Sequence, residues 1–125
     1  MSETDKLRKV LLIVDNSLFI IERLLSILKE ANAVDEILTA TNYSGAVEVL
    51  HKTRTDIVLL DIQLAEKNGI ELLKYTVHHF PEIKVVIVSN LISDYYQKLC
   101  KAAGAFCFID KSRDFDKITE VVFSI

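Results

Sequence analysis

Apolar residues along the chain fall into two patterns that alternate from one end to the other. Five short apolar runs, Val10 to Val14, Glu36 to Ala40, Ile57 to Leu60, Val85 to Val88 and Ala105 to Ile109, read as strands. Between them the apolar positions recur at helical spacing. The stripes are Leu18, Ile21, Leu25 and Leu28; Ile70, Leu73, Val77 and Phe80; Tyr96, Leu99, Cys100 and Ala103; and Phe115, Ile118, Val122 and Ile125. A shorter helix over Ser44 to Lys52 carries Ala46, Val49 and Leu50. Each stripe predicts a helix with one face on a sheet. Ser17, Ser44, Asn68, Ser93 and Asp114 stand where N-caps are expected, Pro81 closes the third helix and Gly104 follows the fourth.

Runs one, three and four are apolar at successive positions, as in strands covered on both faces of a parallel sheet. Fivefold strand-helix alternation predicts a doubly wound α/β domain of strand order 2-1-3-4-5, with its switch point between strands one and three. Ligands then belong at the C-terminal ends of those strands.

Composition narrows the picture. A chain of 125 residues, 50% hydrophobic and 26% charged, fits one domain over 1–125, with a core from 8 to 125 and residues 1–7 as an N-terminal extension. Fifteen basic against eighteen acidic residues give a net charge of −3, and neither sign forms a block, so nucleic-acid binding is not expected. The longest aliphatic run is five residues, Val10 to Val14, against roughly 20 needed to cross a bilayer. The polar start Met1 to Lys6 is unlike a signal peptide. A cytoplasmic protein without membrane contact is expected. Cys100 and Cys107 match no zinc or redox spacing and are expected to be small buried hydrophobes. His78 and His79 fall in a last helical turn, where positive charge suits the macrodipole, and nothing in the sequence brings His51 to them.

The informative polar residues end the strands. Asp15 and Asn16 follow the first, Asp61 the third, Ser89 and Asn90 the fourth, and Asp110 and Lys111 the fifth. Any one of them alone reads as a cap or turn residue. In a parallel sheet, however, they all reach one edge. Two neighbouring carboxylates, Asp15 and Asp61, repel each other, and a hard cation bound by oxygen relieves that repulsion. Mg²⁺ is the natural candidate, with Asn16 and a backbone carbonyl as further donors. Lys111 supplies a compact charge able to pair with Asp61 at rest and with a phosphoryl oxygen afterwards, and Ser89 a hydrogen bond to another.

Four segments carry a family resemblance. They are Val10-Leu-Leu-Ile-Val-Asp-Asn16, Asp56 through Asp61 to Gly69, Val85-Val-Ile-Val-Ser89, and Gly104-Ala-Phe-Cys-Phe-Ile-Asp-Lys111. Over residues 8 to 125 the chain resembles the response-regulator receiver domain of two-component signalling, with a flavodoxin-like fold. The resemblance implies that Asp61 is the phosphoacceptor, that Ser89 and Lys111 read the phosphoryl group, that Asp15 is a metal-site acid and that Gln63 offers its backbone carbonyl to Mg²⁺. It implies a sensor histidine kinase or phosphotransfer protein as partner. The face of the fourth helix, fifth strand and fifth helix becomes the partner or homodimer surface, on which Tyr95 is a candidate contact. Such a switch is no enzyme beyond its own phosphoryl transfer and dephosphorylation.

The chain departs from the family pattern at several positions. Asn16 stands where a second acid is usual, which should weaken Mg²⁺ binding. Asn90 replaces a small residue and would narrow access to Asp61 or bond to the phosphoryl group. Phe108, at the aromatic switch position, lacks a hydroxyl. Ala65 and Ser112 replace frequent prolines, so the Lys111–Ser112 peptide is expected to be trans, since a cis bond there costs roughly 2.5 to 4 kcal/mol.

Two functions therefore compete: an aspartyl-phosphate switch, and a receiver-like module that binds partners without phosphorylation, favoured by Asn16 and Asn90. Metal dependence separates them. A flavin protein of the same strand order is disfavoured, because Asp15-Asn-Ser-Leu-Phe19 has no glycine to cradle a phosphate. The last predicted helix ends the chain, as expected of either a single-domain regulator or a receiver taken from a longer protein.

Overall fold

In the computed structural model, residues 8–64 and 67–125 are described; the predicted extension 1–7 and Ala65 lie outside them. The elements in chain order are β1 Val10–Val14, α1 Leu18–Glu30, β2 Glu36–Ala40, α2 Tyr43–Lys52, β3 Ile57–Leu60, α3 Gly69–His79, β4 Lys84–Ser89, α4 Asp94–Ala102, β5 Cys107–Asp110, a 3₁₀ turn Phe115–Lys117 and α5 Ile118–Phe123. The sheet is parallel, in the order β2-β1-β3-β4-β5, as the alternation predicts.

Side chains of the central strands alternate between two cores. Leu11, Ile13, Ile57, Leu59, Val86, Val88 and Ile109 pack with Ile21, Leu24 and Leu28 of α1 and with Phe115, Ile118 and Val122 at the C-terminal end. Leu12, Val14, Val58, Leu60, Val85 and Ile87 face α2, α3 and α4 through Ala46, Leu50, Ile70, Leu72, Leu73 and Cys100. Three layers result, and both sheet faces are dry. That explains the unbroken apolar runs of β1, β3 and β4 and the more exposed pattern of the edge strand β2.

Several local expectations are corrected. Leu18 is 68% exposed, and Leu24 takes the buried place given to Leu25; helical spacing allowed either, and the angle at which α1 lies on the sheet decides between them. The side chain of Asn42, not Ser44, caps α2 by accepting from Gly45 N–H at 2.8 Å, which places Ser44 inside the helix. Asp114 makes no capping bond; it pairs with Lys117 at 3.3 Å, and the chain enters α5 through the 3₁₀ turn. Cys100 is buried, but Cys107 on the edge strand is only half-buried. Ser17, Asn68 and Ser93 do cap their helices. Gly104 follows α4 at φ +103°, a conformation that favours glycine. No peptide among the described residues is cis, so Lys111–Ser112 is trans.

Candidate functional site

Strand register brings the polar ends together. Val14 lies opposite Leu60, so the next residues, Asp15 and Asp61, leave adjacent strands at the same level. Their backbones are tied into the sheet: Asp15 N–H donates to Ala40 O at 3.2 Å and Asp61 N–H to Val14 O at 3.0 Å. Across β4 and β5, Ser89 lies opposite Asp110, and Lys111 N–H donates to Ser89 O at 2.9 Å. Asp15, Asp61 and Lys111 directly follow β1, β3 and β5, and Ser89 ends β4, so all four stand at one edge of the parallel sheet.

Asp15 and Asp61 are 2% and 4% exposed. The Lys111 ammonium lies between them, 2.8 Å from Asp15 Oδ2 and 3.2 Å from Asp61 Oδ2. The expected pairing with Asp61 is therefore present, and a shorter one with Asp15 accompanies it. The other carboxylate oxygens accept from backbone: Ser17 N–H to Asp15 Oδ1 at 2.9 Å and Gln63 N–H to Asp61 Oδ1 at 3.2 Å. Burial pushes the Asp61 carboxyl above its ordinary range; the Lys111 charge opposes this, Asp15 adds to it, and the Gln63 N–H and the Lys111 hydrogen bond oppose it further.

The remaining predicted residues surround this group. Ser89 is fully buried, and its Oγ accepts from Leu91 N–H at 3.0 Å. Asn16 is exposed beside Asp15. Asn90 is exposed, and its Oδ1 accepts from Ser112 Oγ at 2.7 Å. Phe108 is half-buried against the α2–α4 core. Tyr95 is 68% exposed on α4. Gly69 has a role the sequence reading did not supply: a Cβ there would fall 2.7 Å from Ile62 Cα and collide with the Asp61 carbonyl. Only glycine lets α3 begin so close to the Asp61 loop. Ser112 was likewise missed as a site neighbour, its one sequence signal being a serine where proline is frequent.

Histidines gather elsewhere. His51 Nε2 lies 2.5 Å from Tyr75 OH, and the His79 ring stacks on Tyr75 with centroids 4.1 Å apart, so Tyr75 links His51 to the α3 histidines, a proximity the sequence did not reveal. Among the described residues no three His, Cys, Asp or Glu side chains converge on a metal position. The acid pair itself offers only oxygen, and two carboxylates supplemented by carbonyl and water are what Mg²⁺ accepts. The donor set fits such a cation, with less charge than a third acid would supply.

Residues 11–123 match the response regulator receiver domain family. The chain belongs to that family. It is 28% identical over 116 residues to the transcriptional regulatory protein DegU of Brevibacillus brevis, covering 91% of this chain and 48% of that protein. It is 30% identical over 127 residues to a protein-glutamate methylesterase/protein-glutamine glutaminase of Syntrophomonas wolfei, covering 96% and 36% respectively. This receiver chain thus spans about half or less of the length of these relatives. A two-component response regulator from Clostridium difficile has the same fold, with TM-score 0.86 at 19% identity and 94% of each chain covered. The Mn²⁺-bound form of response regulator Rcp1 superposes with TM-score 0.80 at 22% identity, over 94% of this chain and 91% of that one. Among the described residues no helix is long and apolar enough to cross a membrane.

Proposed function

We propose that this receiver, taken as one unit over residues 8–125, is a cytoplasmic aspartyl-phosphate switch with Asp61 as phosphoacceptor. The observation that carries the reading is the buried Asp15–Lys111–Asp61 group, with Lys111 2.8 Å and 3.2 Å from the two carboxylates. Asp61 Oδ attacks the phosphorus of a phosphohistidine on a sensor kinase or phosphotransfer protein; the P–N bond breaks and the imidazole leaves. Lys111, now holding both acids, swings its charge to the phosphoryl oxygens, and the Ser89 hydroxyl donates to another of them. Asp15, Asp61, Asn16 and the Gln63 carbonyl are the ligands we assign to Mg²⁺. Bound there, Mg²⁺ would neutralise charge on the transferring group.

Output runs through Phe108, which connects the Lys111 strand to the α4 side. Lacking a hydroxyl, Phe108 signals by packing alone. Tyr95 at 68%, Ile92 at 42% and Phe106 at 46% exposure make the α4–β5 side the surface we assign to a partner or second copy.

The test is acetyl phosphate with Mg²⁺, followed by mass spectrometry. A single adduct on Asp61, absent from Asp61→Asn, is expected. Partner binding that is unchanged by metal and acetyl phosphate in an unlabelled protein would favour the phosphorylation-independent module.

A further inference from the structure

A cavity of about 450 Å³ lies between α4 and the edge strand β5. Asp94, Lys98 and Lys101 line it from α4, and Phe106, Cys107 and Phe108 line it from β5 and the residue before it. Its volume falls within the range of roughly 300 to 1,000 Å³ that holds small ligands. Both walls are set before anything binds. Phe106 N–H donates to Val85 O at 2.8 Å, and Cys107 and Phe108 lie opposite Val86 and Ile87 in the β4–β5 ladder. On α4 the Ser93 side chain caps the helix start, and Gln97 Nε2 donates to Ile92 O at 2.7 Å. A ligand entering the cleft therefore loses little free energy in ordering it.

The lining combines aromatic surface with positive charge that has no partner. Phe106 is 46% exposed, a large apolar side chain left in water. Lys98 and Lys101, three positions apart, are neighbours on the helix surface. Among the described residues neither is in an ion pair, and Asp94 of the same lining pairs with neither. Lys84 Nζ stands 5.8 Å from the Phe106 ring centroid, a third positive charge beside the ring. Three ammonium groups against one carboxylate favour an anion, and the phenylalanine rings favour a planar ring stacked or edge-on to them. A molecule that joins an aromatic ring to an acid group satisfies both demands at once.

We propose that the α4–β5 cleft binds a small planar aromatic anion, its ring against Phe106 and Phe108 and its acid group on Lys98 and Lys101. Aryl carboxylates and nucleotides share this chemistry. Binding uses neither Asp61 nor a phosphoryl group, so the inference goes beyond the phosphate switch and stands or falls separately from it.

The experiment uses the full, unphosphorylated chain and two readouts. Fluorescence of 8-anilino-1-naphthalenesulfonate, an aromatic sulfonate, reports occupancy; salicylate and AMP are then tested as competitors beside their uncharged counterparts salicylamide and adenosine. Alkylation of Cys107 at alkaline pH, mapped by mass spectrometry, locates the bound molecule, with the buried Cys100 as internal reference. Saturable fluorescence is expected, with Cys107 labelling slowed about tenfold at about ten times the Kd, because only the free protein is alkylated. The Lys98→Gln, Lys101→Gln double variant should bind about tenfold more weakly, the scale of losing charged hydrogen bonds, whereas Lys74→Gln on α3 should bind as wild type does. Melting curves check that each variant is folded. Displacement by salicylate but not salicylamide supports an aryl carboxylate, and displacement by AMP but not adenosine supports a nucleotide. The proposal is overturned if the sulfonate does not bind, if it binds without protecting Cys107, if the double lysine variant keeps wild-type affinity, or if the uncharged counterparts compete as well as the anions.

Discussion

Lys111 sits nearer to Asp15 than to Asp61, with Nζ 2.8 Å from Asp15 Oδ2 and 3.2 Å from Asp61 Oδ2. All three side chains are at least nine-tenths buried. The lysine is therefore the resident counter-charge of the acid pair as a whole, and an incoming cation or phosphoryl group must redistribute it.

Removing that charge leaves two buried carboxylates facing each other. Lys111→Ala should destabilise the fold by about 3 kcal/mol, the scale of breaking one partner out of a buried ion pair. Mg²⁺ should restore more stability to the variant than it adds to wild type, because the cation then supplies the missing charge. Urea titrations with and without Mg²⁺ check this, and equal midpoints for both proteins would contradict it.

Burial raises the Asp61 carboxyl from its ordinary value of 3.8. The folded protein holds this proton more tightly than the unfolded chain, so the group's stabilising contribution is complete below the ordinary value and lost as pH rises through the raised one. Ionised Asp61 thus costs stability at neutral pH. Asp61→Asn is expected to be more stable than wild type at pH 7, with the advantage vanishing in acid. Thermal melts of the two proteins over a pH series give the difference directly.

Asn16→Asp changes the formal charge of Asp15, Asp61 and Lys111 together with residue 16 from −1 to −2. Mg²⁺ affinity should rise about tenfold, equivalent to about 1.4 kcal/mol. Calorimetric titration of both proteins reads this out, and equal affinities would show that the missing acid does not limit the site.

Gly69→Ala places a methyl group against the Asp61 carbonyl and Ile62 Cα. Since backbone cannot yield as a side-chain tip does, a loss of about 2 to 3 kcal/mol is expected. A shift of the denaturation midpoint is the measurement, and a wild-type midpoint would mean that the β3–α3 loop relaxes freely.

The predicted elements were legible because sheet and helix impose different periods on the same apolar residues. Val10–Val14 and Ile57–Leu60 are unbroken because both sheet faces are covered, and a parallel sheet sends every strand's C-terminal end to one edge. Asp15, Asp61, Ser89 and Lys111 could therefore be grouped before any coordinates. Leu24 and Leu25 could not be told apart, since helical spacing defines a stripe but not the angle at which α1 meets the sheet. Ser44 resembled a cap as closely as Asn42 did, and the helix start chose between them.

Sequence by itself determined the fivefold strand-helix alternation and the shared edge of a parallel sheet, because these follow from periodicity and the handedness of crossovers, whereas several strand orders satisfy the same rules and the packed sheet has β2-β1-β3-β4-β5. Tertiary structure alone decided that Lys111 lies closer to Asp15, that Ser112 reaches Asn90, and that Tyr75 brings His51 to His79. The physical reason is range. Strand period and helix pattern are local properties, whereas a 2.7 Å bond between residues 22 positions apart depends on strand register and loop path, which only the packed sheet sets.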